Sequence, residues 1–305
     1  MRFSARGGKV QVTPRPHLTL APLRRAIGRL APPSRVIQSM PAEQVIELVH
    51  QRFVPRAINL GGGPNFVELG WYNLDEAAAC QSGFTFSPDC QIPLPAASLH
   101  TVYTSHTIEH LDSPTVDRLL AEARRILRPD GRLVIKIPDF DRALACWRSG
   151  DASFFRDELW NFDAVSHTWR ARGIDDTLAR RASMIFCGFW NAEYGDHFSG
   201  RISPHPQAYH GPAVVAEREL EQLRFDHTPG QISAYLRESV SRTETAFKFN
   251  HQNAWGREEL ASLLDRAGFS VITSDKAVAA ICCADIPDIR AMYEQSSYTV
   301  AVARE

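Results

Sequence analysis

Long apolar segments are missing from this chain. No stretch of its 305 residues approaches the roughly 20 consecutive apolar residues that a membrane span requires, so we expect no membrane span. The N-terminus also lacks the uninterrupted apolar core of a secretory signal. We therefore expect a cytoplasmic protein.

Paired cysteine motifs are missing as well. The six cysteines include no Cys-x-x-Cys spacing, which leaves a zinc ribbon or a dithiol redox motif without support. Spread through a mid-sized chain, they are typical of reduced thiols in a reducing compartment. The histidines at 167, 197, 205 and 227 could suggest a metal, but no pair among them has the i, i+4 spacing on a helix that makes a metal site convincing, so we expect no bound metal.

Acidic residues are absent from the first 42 positions, which contain eight basic residues. Several prolines in this segment prevent a long helix. We interpret residues 1–40 as a basic arm that is flexible or lies on the surface, with a transit peptide or a contact for a partner or an anionic ligand as alternatives. The formal net charge of the whole chain is only −1, and we expect no duplex nucleic acid as a partner.

Short apolar runs alternate with helical patterns from residue 57 onward. This alternation predicts a Rossmann-like, doubly wound α/β fold with seven strands in a mostly parallel sheet. The pattern covers residues 41–140, beginning with a helix over 40–53, and resumes over 250–305. Between these parts, residues 141–249 are rich in aromatic residues and histidine, and we predict a large, largely helical insertion after the fifth strand.

Polar residues and glycines follow several predicted strands where a ligand site would form. Gly61-Gly62-Gly63 lets a ligand approach the backbone closely, because no Cβ intervenes. Asp75 ends the next strand, where a carboxylate can accept from both ribose hydroxyls. Asp89 stands before the following strand, and a carboxylate there could accept from an adenine amino group. The pattern predicts a site for a nucleotide-like ligand.

These ordered motifs resemble the class I S-adenosylmethionine-dependent methyltransferases, and in particular a small bacterial branch of the type 11-like kind. The motifs that carry the resemblance are Asn59–Gly63, Asn73–Asp75, Asp89 with Pro93–Pro95, Ser105–Leu111 and Leu127–Leu133. The resemblance covers about residues 55–140 and 255–305. It implies methyl transfer from S-adenosyl-L-methionine, which leaves S-adenosyl-L-homocysteine as the product.

The resemblance also implies roles for individual residues around the cofactor. Two departures are Asn59, where many members have an acid, and Asn65 at or near the place of a third glycine. The implied cofactor-binding residues are Asn59, Gly61, Gly62 and Gly63 at the methionine part, Asp75 at the ribose, Asp89 and Cys90 at the adenine, and Ser105 and His106 at the methyl side.

Methyl transfer to a hydroxyl benefits from a general base, and histidine suits that task near neutral pH. We expect the base among His106, His110 and His251, with His210 as a further candidate. Each has a plainer alternative, which is a backbone contact for His106, bracing of the next helix for His110 and an ordinary loop histidine for the other two.

The predicted insertion lies at the carboxyl end of the sheet, where loops build substrate sites, and we expect a lid that sets substrate choice. The leading hypothesis is methylation of an oxygen or nitrogen of a small molecule, such as a sugar or another metabolite. The alternatives are a non-catalytic module that binds the cofactor and a different cofactor-using enzyme on the same sheet, including a nicotinamide enzyme. The sequence indicates no oligomeric state.

Overall fold

The computed structural model describes residues 2–6, 9–13, 57–62, 71–75, 84–155, 175–187, 215–238, 251–283, 286 and 295–304. The strands in these ranges are β1 (Arg2–Arg6), β2 (Lys9–Thr13), β3 (Ala57–Leu60), β4 (Trp71–Leu74), β5 (Leu99–Ser105), β6 (Leu127–Pro138), β7 (Phe269–Thr273) and β8 (Ser296–Ala303). The α-helices are α1 (Ser113–Ile126), α2 (Phe140–Ser149), α3 (Leu178–Cys187), α4 (Glu217–Asp226), α5 (Pro229–Glu238), α6 (Arg257–Arg266) and α7 (Lys276–Cys282). Short 3-10 helices cover Ile108–His110 and Ala152–Phe155.

The central sheet of the described residues has six strands in the order β4-β3-β5-β6-β8-β7. Neighbouring strands from β4 to β6 are parallel, and β8 is antiparallel to both β6 and β7. Five of the six strands therefore run in one direction. The mixed α/β sheet agrees with the predicted fold class, whereas a seventh strand is not found in the part of the chain that the structure describes.

Both faces of this sheet are covered, as a doubly wound fold requires. Successive residues of a strand point to opposite faces, so β5 and β6 supply two cores. Val102 and Leu133 join one core, which includes apolar residues of α1 and α6. Tyr103 and Val134 join the other, which includes Ala279 of α7.

The helix α1 follows from its own sequence. The carboxylate of Asp112 accepts a hydrogen bond of 2.9 Å from the backbone N–H of Thr115, which caps the first turn. A proline stands at the start, where its missing N–H costs nothing. Apolar side chains at helical spacing are then buried against the sheet. The helical spacing of apolar residues from 116 to 127 predicts a helix over 115–127, and the structure confirms it with the bounds Ser113–Ile126.

Pro-Asp-Gly at 129–131 is typical of a turn and predicts one there, but the structure continues as a strand. It lies within β6, where Leu99 pairs with Leu127 but Thr101 pairs with Arg132. The extra residues of β6 are accommodated as a bulge, which keeps one strand running through the predicted turn.

Four helices, α2 to α5, lie in the interval predicted as an insertion, and the described parts of that interval are largely helical. Trp147 of α2 and Phe186 of α3 are buried with ring centroids 6.1 Å apart. Leu220 of α4 and Leu236 of α5 are buried in the same core. The rest of the interval, including His210, lies outside the described residues.

The N-terminal interval contributes one observation. β1 and β2 pair as an antiparallel two-stranded sheet within residues 1–40. The predicted helix over 40–53 and Gly63 lie outside the described residues. Among the described residues, no helix is both long and apolar enough to cross a membrane.

Candidate cofactor and catalytic site

Three predicted site segments meet at the carboxyl edge of the sheet. Leu60, the last residue of β3, is in register with Leu74 of β4 and with Thr104 of β5. Gly61, Asp75 and Ser105 follow these three residues directly, so they lie side by side. The backbone N–H of Gly61 donates a hydrogen bond of 2.8 Å to the carbonyl oxygen of Leu74. The structure thus joins the glycine turn to the strand end that carries Asp75.

Gly61 occupies a position that no other residue fits without strain. Its φ is +77°, and a Cβ added to it would lie 2.1 Å from Oγ1 of Thr107. The Thr107 hydroxyl lies 3.0, 3.2 and 3.4 Å from the carbonyl oxygens of Ser105, Leu60 and Gly61, respectively. Thr107 therefore holds the glycine turn against the end of β5. No local pattern in the sequence predicts this role of Thr107.

Asn59 lies inside the sheet, two residues before Gly61. It is 3% exposed and stands in register with Asn73 on one side and Tyr103 on the other. Side chains at matching positions of parallel strands share a face. The predicted contact of Asn59 with the cofactor stays a prediction. Gly62, the residue after Gly61, is half-buried, and its predicted role also stays a prediction.

The predicted adenine segment is a loop before β5. Asp89 is exposed there, and the Ser87 hydroxyl donates a hydrogen bond of 2.7 Å to its carboxylate, which holds the pKa of Asp89 below its ordinary value. Cys90 is buried, and its carbonyl oxygen accepts a hydrogen bond of 2.6 Å from Nε of Arg118 on α1. The roles of Asp89 and Cys90 at the adenine remain predictions.

A clamp on α1, formed by Glu122 and Arg125, holds the rest of this loop. Arg125 donates hydrogen bonds of 2.8 Å to the carbonyl oxygens of both Ile92 and Leu94. Glu122, a buried carboxylate, accepts from the N–H of Ile92 at 2.8 Å and from Arg125 at 2.7 Å. Burial opposes the charge of Glu122, but these hydrogen bonds outweigh it and the pKa is lowered.

His106 stands at the end of β5 in a left-handed conformation, with a φ of +50°. Its Nδ1 lies 3.2 Å from Oε1 of Glu109, and its Nε2 lies 3.0 Å from Oγ of Ser296. An ionised Glu109 can accept a hydrogen bond but cannot donate one. The hydrogen of the neutral His106 ring therefore lies on Nδ1, and Nε2 keeps its lone pair. The partly exposed His106 thus has the tautomer of a general base.

Glu109 lies in the short 3-10 helix and is 0% exposed. Burial alone would raise the pKa of Glu109, but the hydrogen bond from His106 and the nearby histidines lower it overall. The backbone carbonyl of Glu109 accepts hydrogen bonds of 2.6 and 3.0 Å from the N–H groups of Gln252 and Asn253. This residue therefore links β5 to the segment that precedes α6.

His110 and His251 meet from these two segments, with ring centroids 4.7 Å apart. His251 is 1% exposed, and its Nδ1 lies 2.7 Å from the carbonyl oxygen of Ile185 on α3. Burial, together with the charge of His110, lowers the pKa of His251 to about 3. A histidine with so low a pKa is a poor proton acceptor at neutral pH, which argues against His251 as the base and favours His106.

A known family matches this part of the chain. Residues 46–135, which span β3, β4, β5, α1 and most of β6, match the family model described as "Methyltransferase domain". This part of the chain is a methyltransferase domain, consistent with the class I S-adenosylmethionine-dependent methyltransferases. The enzyme therefore uses S-adenosyl-L-methionine as its cofactor. No curated protein matches the chain.

Similar solved structures are distant from this chain. An S-adenosylmethionine-dependent methyltransferase from Mesorhizobium loti is 13% identical, with 93% of this chain and 97% of the other covered and a TM-score of 0.35. The protein PH0226 from Pyrococcus horikoshii is 13% identical, with 92% and 99% covered and a TM-score of 0.35. An S-adenosylmethionine-dependent methyltransferase from Aquifex aeolicus is 18% identical, with 38% of this chain and 73% of the other covered and a TM-score of 0.24.

The crowding at Gly61 generates a prediction with a matched control. Gly61→Ala introduces a Cβ against Thr107, whereas Gly150→Ala meets no atom within 4 Å. Both glycines have nearly the same φ, +77° and +76°, so both variants carry the same backbone strain of about 1–2 kcal/mol. We expect Gly61→Ala to weaken S-adenosylhomocysteine binding in calorimetry at least tenfold, and Gly150→Ala to lower stability while keeping the affinity. Equal affinities in the two variants would contradict the role of the turn.

The clamp on α1 generates a second prediction. Arg125→Lys keeps the charge but loses the planar fork that reaches two carbonyl oxygens. We expect the loss of these hydrogen bonds to reduce the binding free energy of S-adenosylhomocysteine by about 1.4 kcal/mol, which is a tenfold weaker affinity. Arg124→Lys is the control, because that neighbouring guanidinium reaches the carbonyl oxygen of Arg304 instead. If Arg125→Lys binds as tightly as the control, the loop does not depend on the clamp.

Proposed function

We propose that the enzyme methylates an oxygen or nitrogen atom of a small molecule, with His106 as the general base. The observation that carries this proposal is the pair of contacts that His106 makes at the strand end next to Ser105. Its Nε2 lies 3.0 Å from Oγ of Ser296, and its Nδ1 lies 3.2 Å from Oε1 of Glu109. Methyl transfer itself follows from the domain, while the acceptor class and the base are the proposal.

The residues at the sheet edge fit the cofactor. The turn at Gly61 is packed against Thr107 at the end of β3, and Asp75 stands at the end of the adjacent strand. We assign Gly61, Gly62 and Gly63 to the methionine part, Asp75 to the ribose hydroxyls, and Asp89 with the Cys90 backbone to the adenine. When bound, S-adenosylmethionine supplies a methyl group that its sulfonium already activates.

His106 would remove the acceptor's proton at Nε2, the nitrogen that faces Ser296. The imidazolium formed in this way is stabilised by the buried Glu109 carboxylate beside Nδ1. The backbone N–H of His106 also donates a hydrogen bond of 2.9 Å to the carbonyl oxygen of Lys136, which fixes the residue between β5 and β6. The task left to the protein is to align the acceptor and exclude water.

We assign the interval 141–249 as the lid that sets substrate choice. The helix α2 begins two residues after β6 ends, on the side where substrates bind in this fold. The helix α3 reaches the candidate site, because the carbonyl oxygens of Ile185 and Cys187 accept hydrogen bonds from His251. A lid that encloses the site would favour a small molecule over duplex nucleic acid.

The ribose assignment predicts the effect of a change at Asp75. Asp75→Asn removes the charge that accepts from the ribose hydroxyls, and we expect calorimetry to give a roughly tenfold to hundredfold weaker affinity for S-adenosylhomocysteine. Asp117→Asn, an exposed carboxylate on α1, is the matched control and should bind as the wild type does. An unchanged affinity in Asp75→Asn would remove the assignment. A titration with NAD tests the alternative of a nicotinamide enzyme. Tight binding of NAD alone would contradict the assignment of S-adenosylmethionine as the cofactor.

The acceptor class is tested by incubating the purified chain with a methyl-labelled donor and a cell extract separated by size. We expect label in the small-molecule fraction, and label confined to the protein or nucleic-acid fraction would contradict the proposal. On the acceptor so found, His106→Asn should lower kcat about 10²–10⁴-fold, because the base is lost. Asparagine tolerates a left-handed conformation, so the backbone is kept and kcat should fall far more than the affinity for S-adenosylhomocysteine. Full turnover of this variant would exclude His106 as the base.

A further inference from the structure

The structure brings together three side chains that can bind a metal ion. Glu109 and His110 follow β5, and His251 stands before α6, far along the sequence. One ligand atom from each of the three lies within 4.8 Å of the others. Glu109 and His251 are buried, and His110 is partly buried. This group is separate from the glycine turn and is named here the Glu-His-His cluster.

The ligand types of the cluster select a class of metal. Imidazole nitrogens suit Zn²⁺ and the neighbouring first-row transition metals, whereas Mg²⁺ and Ca²⁺ prefer shells made of oxygen atoms. Two histidines and one glutamate form one of the sets of three protein ligands that hold Zn²⁺ and leave a fourth position open. The cluster therefore fits a divalent transition metal better than an alkaline-earth ion.

The surroundings of the cluster already hold two of its members in place. A histidine that binds a metal through one nitrogen generally donates its other N–H to a carbonyl or carboxylate. The Nδ1 of His251 has this arrangement with the carbonyl oxygen of Ile185 at 2.7 Å, which leaves Nε2 with a lone pair. The carboxylate of Glu109 is in turn fixed by His106 at 3.2 Å.

The backbone joins the two segments that supply the ligands. The N–H groups of Gln252 and Asn253 both donate to the carbonyl oxygen of Glu109, and the side-chain amide of Asn253 donates to the carbonyl oxygen of Leu111 at 2.6 Å. A carboxylate with no exposed surface is costly unless its charge is compensated. A cation between the carboxylate and the two imidazoles would provide that compensation.

We propose that Glu109, His110 and His251 bind one divalent transition-metal ion, through a Glu109 carboxylate oxygen, a ring nitrogen of His110 and Nε2 of His251. This site revises the expectation of no metal, which rested on sequence spacing. The ion joins the segment before α6 to the turn after β5, and it does not depend on the identity of the methyl acceptor. It also places a metal on the carboxylate that orients His106.

The test uses the full chain without an affinity tag, freed of metal with a chelator. Titration with Zn²⁺ against a chromophoric competitor should give one equivalent per chain, and Zn²⁺ should raise the melting temperature because it binds the folded state. Co²⁺ should produce visible absorption bands typical of a low-coordinate nitrogen and oxygen site. Less than one equivalent of Zn²⁺, or a preference for Mg²⁺, would overturn the proposal.

Substitutions locate the site. His110→Asn changes the most exposed ligand and is the variant expected to fold best, and Glu109→Gln and His251→Asn remove the other two. Each should weaken Zn²⁺ binding at least hundredfold and abolish the Zn²⁺-dependent rise in melting temperature. His100→Asn, which changes a partly exposed histidine on β5, is the control and should leave both unchanged. Unchanged Zn²⁺ affinity in His110→Asn, or equal loss in His100→Asn, would place the metal elsewhere. Because both readouts concern metal binding, they are independent of whether methyl transfer is observed.

Discussion

The hydrogen bond from the Gly61 N–H to the Leu74 carbonyl is the constraint on which the candidate site depends. It ties the chain to the end of the neighbouring strand as β3 turns out of the sheet, which brings Asp75 beside the glycine turn. Thr107 completes the arrangement from the other neighbour, β5, by filling the space that a Cβ at position 61 would need. The position thus requires glycine for a packing reason as well as a conformational one. The ends of β3, β4 and β5 thus form one edge of the candidate site, and the cofactor assignment rests on that edge.

Two buried carboxylates fix the chain segments that flank β5. Glu122 pairs with Arg125 and fixes the loop before β5, whereas Glu109 pairs with His106 and fixes the turn after it. Removing one partner of such a pair leaves a buried charge, which costs far more than the pair contributes to stability when intact. Both networks are therefore better understood as devices that define one conformation of the site than as sources of stability.

The sequence predicted the parts of this site that rest on local pattern. Gly61, Asp75 and Ser105 each follow an apolar run, and parallel register places such positions together without further information. Thr107, Ser296 and the clamp on α1 were missed, because their roles arise from contacts between distant segments. Glu122 and Arg125 have the spacing of an ordinary exposed helical pair, and nothing in the pattern shows that they hold a loop. The turn predicted at 129–131 was wrong because β6 pairs with β5 both at Leu127 and from Arg132 onward, which keeps the strand continuous through a bulge.

The roles of the histidines also depend on burial and on contacts between distant segments, which the sequence pattern does not show. By residue type, His106 and His251 were equal candidates for the base, yet burial separates them: His106 keeps partial exposure, while the pKa of His251 falls to about 3. A metal site was judged from spacing along a helix, a criterion that cannot detect ligands from segments joined only by the fold. Glu109 stands between the two groups, with His106 on one side and His110 with His251 on the other. A change in the segment before α6 can therefore reach the proposed base through the Glu109 carboxylate, which contacts His106 while its backbone carbonyl holds Gln252 and Asn253.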